Sequence, residues 1–301
     1  NKYIEESSVE YLKQQICKEK GIERKAGMEK AAGFFLMLFI VAGTYAVIYG
    51  ILYVAGMIHP LLRFCLETFF IYQILATKSL KKESMKVYKK LKEGDLLGAR
   101  KEVSYLVGRD TENLDESEVA KADVETIAEN TADGVIAPML FIALGGAPLG
   151  FAYKAVNTLD SMVAYRNDEL IHIGFFSAKM DDICNFVPAR FAAVMMMLAA
   201  FFLRFDFKGA VRIFKRDRFA HLSPNSAQTE AVAAGALQIQ LGGTHNYFGK
   251  AVVKPTIGDA IRPVEYEDIK RTNQLLYVSA FLSMAVCTLI TFLIYVQLFN
   301  V

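Results

Sequence analysis

Between Asp123 and Arg190 the chain places carboxylate and amide side chains beside and between apolar segments. Glu125, Glu129 and Asp133 are spaced four apart, with Asn130 beside them, just ahead of twenty uncharged residues from Gly134 to Tyr153. On a helix that spacing lines the acids along one face, where like charges repel. A divalent cation, a basic substrate or exposure to water must offset the repulsion, and a wet helix face is the plain alternative to a site. Asn157 and Asp160 share a face with Ser161 and Ala164, and Lys154 stands on the same side one turn earlier. Here the plain alternative is a helix start capped by Asn157. Asp181, Asp182 and Asn185 put oxygen ligands on one turn, as in sets that hold Mg²⁺ while substrate phosphates complete the shell. An adjacent acid pair is also common on surface loops. Polar groups at a membrane are expensive unless paired, hydrated or used, so the concentration of all three clusters points to chemistry.

The elements that must position them are apolar. Of 301 residues 53% are hydrophobic, and two runs are long enough to span a bilayer: twenty-eight uncharged residues from Ala31 to Ile58 and twenty-six from Leu275 to Asn300. A crossing needs roughly 20 apolar residues. The first run follows thirty mostly polar residues and the second lies at the C-terminus, so neither reads as a signal peptide. A net charge of +2 gives no global basic field for nucleic acid. The four cysteines and four histidines are scattered, with no spacing that suggests a zinc site or a disulfide framework.

Residues 1–30 read as a charged, solvated helix. After the first span, Gly56 to Pro60 predicts a turn, because proline disfavours helix at the residue before it. A second apolar segment over 61–77 then completes a hairpin, with Arg63 and Glu67 spaced to pair. Its outer flanks carry seven Lys or Arg in residues 1–30 and nine in residues 78–101, which places both on the cytoplasmic side. Residues 78–132 read as a cytoplasmic helical region. Its basic stretch from Lys81 to Leu97 suits either a helix on an anionic surface or a substrate role, and Asp115 or Ser117 is placed to cap the helix that runs on to Thr131. Pro138, Gly145, Gly146 and Pro148 interrupt the run 134–153, which reads as a simple span or as a broken, re-entrant one. The stretch 187–203 is short for a full span. Ala231 to Gly249 reads as a buried or interfacial helix ending in a glycine loop, and 250–271 as a polar connector. The absence of Lys and Arg after Arg271 puts the C-terminus outside. The fold class is therefore all-α: one polytopic membrane domain with broken or re-entrant helices and cytoplasmic helical segments.

Two standard motifs fail. A phosphate-binding loop needs GxxxxGK[ST], but the stretch from Gly243 to Ala251 has one intervening residue too many and Ala251 in place of Ser or Thr. The signature of membrane CDP-alcohol phosphotransferases begins well at Asp133 and then fails at Pro138, Ala147, Phe151 and Ala155.

Six stretches do match a family in order: GRDTENLDESEV, VETIAENTADGVIAP, GGAPLGFAYKAVNTLDSMVAYRN, DD-x-x-N-x-x-PAR, HLSPNS and NYFGK. Together they resemble the adenosylcobinamide-phosphate synthase family of cobalamin biosynthesis, over roughly residues 60–275. The resemblance implies a membrane enzyme, with its active site facing the cytoplasm. It would join a carboxylate of adenosylcobyric acid to aminopropanol or its O-phosphate, driven by ATP with Mg²⁺. It also leaves room for a homo-oligomer or for association with other corrinoid enzymes. Family members usually begin with another apolar segment and a GDP…HPV motif. The sequence from Asn1 shows neither, so a site residue from that segment would be missing from those named here.

On this reading Glu125, Asp133 and Asp181 are expected as metal ligands, and Glu129, Asp160 and Asp182 as catalytic acids. Arg109, Lys154, Arg166 and Arg190 are expected to contact phosphate or carboxylate, Arg through its bidentate fork. Asn130, Asn157, Asn185 and Asn225 complete the substrate-binding set. Two rivals remain open on sequence: a Mg²⁺-dependent prenyl- or phospho-transferase using the DD-x-x-N element, and a membrane scaffold in which acids and arginines pair structurally.

Overall fold

The structure is a computed structural model and describes residues 26–163, 172–221, 223–247 and 249–299. The first apolar run forms α1 (Ala26–Ile58). The predicted turn follows it: His59 is extended (φ −162°) ahead of Pro60, and its Nδ1 accepts a hydrogen bond from the Leu61 N–H at 3.1 Å. The chain reverses into α2 (Pro60–Ile74), which packs on α1. Its 15 residues rise roughly 22 Å, less than the ~30 Å hydrocarbon layer. Arg63 and Glu67 do not pair. Arg63 lies against Gly56, and Glu67 reaches across to Gly146.

Three helices follow: α3 (Thr77–Lys92), α4 (Leu96–Ser104) and α5 (Glu116–Asn130). Asp115 caps α5, accepting from the Glu118 N–H while the Glu118 carboxylate accepts from the Asp115 N–H. Leu80, Ser84, Val87, Tyr88 and Leu91 fall on one face of the basic helix α3 and are buried against α5 and the C-terminal helix. The apolar side of α3 therefore meets protein, not lipid.

A π-helical turn, Thr131–Ile136, links α5 to α6 (Ala137–Val163). Gly145 and Gly146 leave helical geometry inside α6, Gly146 at φ +66°. The chain folds back there. In a straight helix Asp133 and Tyr153 would stand roughly 30 Å apart, yet the Tyr153 hydroxyl is 3.0 Å from the Asp133 carbonyl oxygen. The rings of Phe141 and Tyr153 stack at 4.8 Å, and Gly150 presses on Ile142. The outgoing arm, Ala137 to Leu144, rises only about 12 Å. The segment is thus a helical hairpin whose two ends lie together, the broken or re-entrant form of the two that the sequence allowed.

Next come α7 (Phe175–Phe202), α8 (Phe207–Asp217) and α9 (Ser226–Leu237). Asp181, Asp182, Asn185 and Arg190 all lie on α7, which continues through Pro188 into the apolar stretch beyond. The acid pair is therefore helical and not on a surface loop. The helix expected from Ala231 to Gly249 stops at Leu237, where Gln238 is left-handed (φ 59°). An antiparallel pair, β1 (Leu241–Tyr247) and β2 (Lys250–Ile257), replaces its end and the first part of the expected connector. Gly242 (φ +74°) and Gly243 (φ +101°) form the irregularity in its register, backbone that a helix cannot continue through. Last is α10 (Glu267–Phe299).

Among the described residues four helical stretches are, by length and composition, long and apolar enough to cross a membrane: 26–58, 116–163 (which contains the fold-back), 175–202 and 267–293. The third of these arises because 187–203 is the end of a longer helix. Outward faces carry Phe39 (78% exposed) on α1, Phe64 (67%) on α2 and Phe281 (65%) on α10, an apolar surface of the kind that lipid covers. The architecture is that of a polytopic helical membrane protein with one small two-stranded sheet.

Candidate active site

The mouth of the hairpin is where the polar residues meet. The π turn and the returning arm bring Asp133, Tyr153, Lys154, Asn157 and Asp160 beside the first half of α7. The Asn185 amide donates to Asp181 Oδ2 at 3.0 Å, and the Asn157 amide to Asp181 Oδ1 at 3.4 Å. The Tyr153 hydroxyl stands 2.8 Å from Asn185 Oδ1. Asp160 is within electrostatic reach of Asp181, Asp182 and Glu129, and Lys154 of Asp133.

The segment leading into α9 closes this cluster from above. The Ser223 hydroxyl donates to Asp182 Oδ1 at 3.3 Å, and the Asn225 amide to the Asp182 carbonyl at 2.9 Å. Arg190 lies over the Phe186 ring (3.6 Å), donates to the Phe186 carbonyl at 2.6 Å and reaches Asn225 Oδ1 at 3.3 Å. The Ser226 hydroxyl donates to Glu129 Oε1 at 2.8 Å.

A second cluster lies one helical turn back along α5. Glu125 is paired with Arg109 and accepts the Gly242 N–H at 2.7 Å. Arg109 also lies 2.9 Å from His245 Nδ1, and Lys121 donates to the Gly242 carbonyl. Burial first, and then the Arg109 charge, hold the His245 imidazole down to about 4. Burial likewise lowers His221, against the opposing pull of Glu129. Burial pushes the Glu230 carboxyl well above its ordinary value, and Glu129 and Glu125 add to the shift.

The repulsion expected along Glu125, Glu129 and Asp133 is thus relieved at two of the three, by Arg109 for Glu125 and by a serine hydroxyl for Glu129, while at Asp133 Lys154 only partly offsets Glu129, Asp181 and Asp160. Of the residues expected as metal ligands, Asp133 and Asp181 are neighbours. Glu125 has its oxygens engaged by Arg109 and Gly242, and stands eight residues, roughly 12 Å of helix, before Asp133. Among the described residues no three His, Cys, Asp or Glu side chains are placed to hold a metal ion. Glu129, Asp160, Asp182, Lys154, Asn157, Asn185, Arg190 and Asn225 come together. Arg109 belongs to the second cluster, Asn130 donates to its own helix at the Thr126 carbonyl (3.0 Å), and Arg166 lies outside the described residues. Sequence reasoning missed Tyr153, Ser223, Ser226, His221 and Glu230. The HLSPNS stretch held three of the five, Glu230 follows it by one helical turn, and Tyr153 ends an apolar run.

The profile of the family described as CobD/Cbib protein matches residues 7–276. A cobalamin biosynthesis protein CobD of Clostridium perfringens is 52% identical over 261 residues, which is 87% of this chain and 83% of the relative. A CobD of Streptococcus sanguinis is 49% identical over 267 residues, 89% of this chain and 84% of the relative. A cobalamin biosynthesis protein CbiB of Salmonella choleraesuis is 46% identical over 256 residues, 85% of this chain and 80% of the relative. No solved structure matches. With the re-entrant hairpin and its polar mouth inside the matched region, this chain belongs to the CobD/Cbib family.

Proposed function

We propose that this chain serves cobalamin biosynthesis as an amide-forming synthase, joining a carboxylate of adenosylcobyric acid to aminopropanol or its O-phosphate with ATP as co-substrate. The observation that carries the reading is the meeting of Asp160, Asp181 and Asp182 with Asn157, Asn185 and Asn225 at the hairpin mouth. The site has all-oxygen donors beside Lys154 and Arg190. Such donors suit Mg²⁺, which is commonly held by one or two carboxylates plus substrate phosphates. Asp181, fixed by two amides, and Asp182, fixed by Ser223, are the residues that would hold it. When bound, the ion neutralises charge on the ATP phosphates.

A carboxylate does not acylate an amine readily near neutral pH, because the amine is protonated and oxide is a poor leaving group. Activation in two steps lowers each barrier. The carboxylate oxygen attacks the γ-phosphorus of ATP, giving an acyl phosphate and ADP. The free amine then attacks the acyl carbon, forming the C–N bond and releasing inorganic phosphate. Lys154 and Arg190 would orient the anionic groups. Asp160 or Glu129 would take the proton from the incoming ammonium. The basic flanks of α1 and α2 support a site open to the cytoplasm.

Adenosylcobyric acid labelled with ¹⁸O in its carboxylate tests the route. One label should appear in inorganic phosphate. Label in AMP would show adenylation instead, and label retained wholly in the corrinoid would exclude carboxylate activation.

A further inference from the structure

Behind the hairpin mouth, α5 and α9 face each other through acids. Ser226 at the start of α9 meets Glu129 at 2.8 Å. One turn further along α9 is Glu230, and one turn back along α5 is Glu125, so Glu230 is within electrostatic reach of both glutamates. Three carboxyls thus gather between α5 and α9, but their circumstances differ. Glu125 is paired with Arg109 and capped by the Gly242 N–H. Glu129 has the Ser226 hydroxyl. Glu230 is only 6% exposed and makes no hydrogen bond or ion pair among the described residues. The other charged groups facing it are Lys254 on β2 and Arg109. His221, from the segment before α9, faces Glu129 and Glu125 from the same side.

A buried carboxyl without a partner is costly to a fold. Here a second carboxyl one helix away, with one hydrogen bond of its own, deepens that cost. The missing complement is a compact positive donor with several N–H groups. A primary ammonium has that form, with three donors on one centre. We propose that Glu230 and Glu129 form the subsite that binds the ammonium group of the amine substrate, apart from the Asp160–Asp181–Asp182 cluster that serves the phosphates. The assignment rests on the synthase reading above and adds to it where the amine enters: between α5 and α9, one turn behind the hairpin mouth. Glu129, shared between the two clusters through Ser226 and Asp160, would lead the amine from its subsite toward the reacting carbonyl.

Steady-state kinetics on the full chain in lipid nanodiscs test the subsite, with aminopropanol and its O-phosphate as varied amines. Wild-type turnover comes first. No turnover with either amine would remove the synthase reading and the subsite with it. Given turnover, Glu230→Gln should raise KM for the amine at least tenfold and leave KM for ATP within twofold. Glu230→Gln keeps the shape of the side chain, and its thermal midpoint controls for folding. Asp181→Asn should show the reverse pattern, with the Mg²⁺ and ATP dependence altered and KM for the amine kept. An unchanged KM for the amine in Glu230→Gln, or equal changes in both KM values, would overturn the subsite while the synthase reading stood.

Discussion

The hydroxyl of Tyr153 lies 2.8 Å from Oδ1 of Asn185, joining the returning arm of the hairpin to α7. The same hydroxyl is 3.0 Å from the Asp133 carbonyl on the outgoing side. One buried phenol therefore touches all three strands of chain that make the mouth. Asn185 passes the constraint on, since its amide holds Asp181. Tyr153→Phe removes only the oxygen. It should lower stability by about 1 kcal/mol, the usual net worth of a hydrogen bond, and reduce turnover more than that loss explains by freeing Asp181. Thermal denaturation and initial rates on the same preparation separate the two effects. Unchanged turnover would show that Asp181 is fixed without this link.

Asp181→Asn and Asp182→Asn should lower turnover far more than they lower the thermal midpoint. Removing one carboxylate from an oxygen-donor set weakens a divalent cation's hold but leaves the apolar helices untouched. Rates measured over a Mg²⁺ titration should shift to higher concentration in both variants. Normal activity in both at limiting Mg²⁺ would reduce the pair to structural acids.

Gly146 has φ +66°, and a Cβ there would come 2.6 Å from Glu67 Oε1. Gly146→Ala combines left-handed strain of about 1–2 kcal/mol with displacement of a carboxylate. It should lower the yield of folded protein and broaden its unfolding transition. Gly43→Ala on α1, where a Cβ meets nothing within 4 Å, is the control and should behave as wild type.

A hairpin that folds back at Gly145 and Gly146 should return to the side it left, so Met162 at the end of its second arm and Leu97 on α4 should share a compartment. Both side chains are exposed. Cysteines at these positions, in a background without the native ones, should resist an impermeant thiol reagent in intact cells and react after permeabilisation. Labelling of Met162→Cys alone from outside would mean that the segment crosses.

His245 should make stability depend on acid. Its imidazole is held at about 4 against an ordinary 6.5, by burial and by Arg109. The unfolded chain then binds a proton that the folded chain refuses, so stability is intact above about 6.5 and is lost as pH falls toward 4. His221 is shifted in the same direction and adds to the slope. Unfolding midpoints between pH 7 and 4.5 should fall less steeply in His245→Asn than in wild type.

Much of this was legible in the sequence because membrane segments must be apolar, and two long runs announce themselves. Pro60 marked its turn, and Asp115 or Ser117 marked the start of α5, of which the structure uses Asp115. The acids of α7 showed by their spacing. Tyr153 did not, because a tyrosine closing an apolar run reads as packing until the chain is seen to fold back. The β pair was hidden by its composition: Gly242, Gly243 and the alanines before them carry no alternating pattern. Glu125 read as a metal ligand because Arg109, its partner, is sixteen residues away in a loop, and Gly242, its other partner, is 117 residues away. Pairing across such distances leaves no periodic trace.

The tip of the hairpin rests on the last helix of the chain. Thr291 of α10 donates to the Ala143 carbonyl at 3.3 Å, across 148 residues of sequence, and Met284, Cys287 and Phe292 wall the space beside Gly145 and Gly146. A ribosome makes the hairpin long before it makes α10. During that interval the tip has no wall on that side, and its bent backbone has no seat. The mouth, whose geometry depends on the fold-back, should settle fully after α10 has packed against the tip. Completion of the hairpin mouth should therefore be a late event of biogenesis, following a helix that contributes none of the polar residues gathered there.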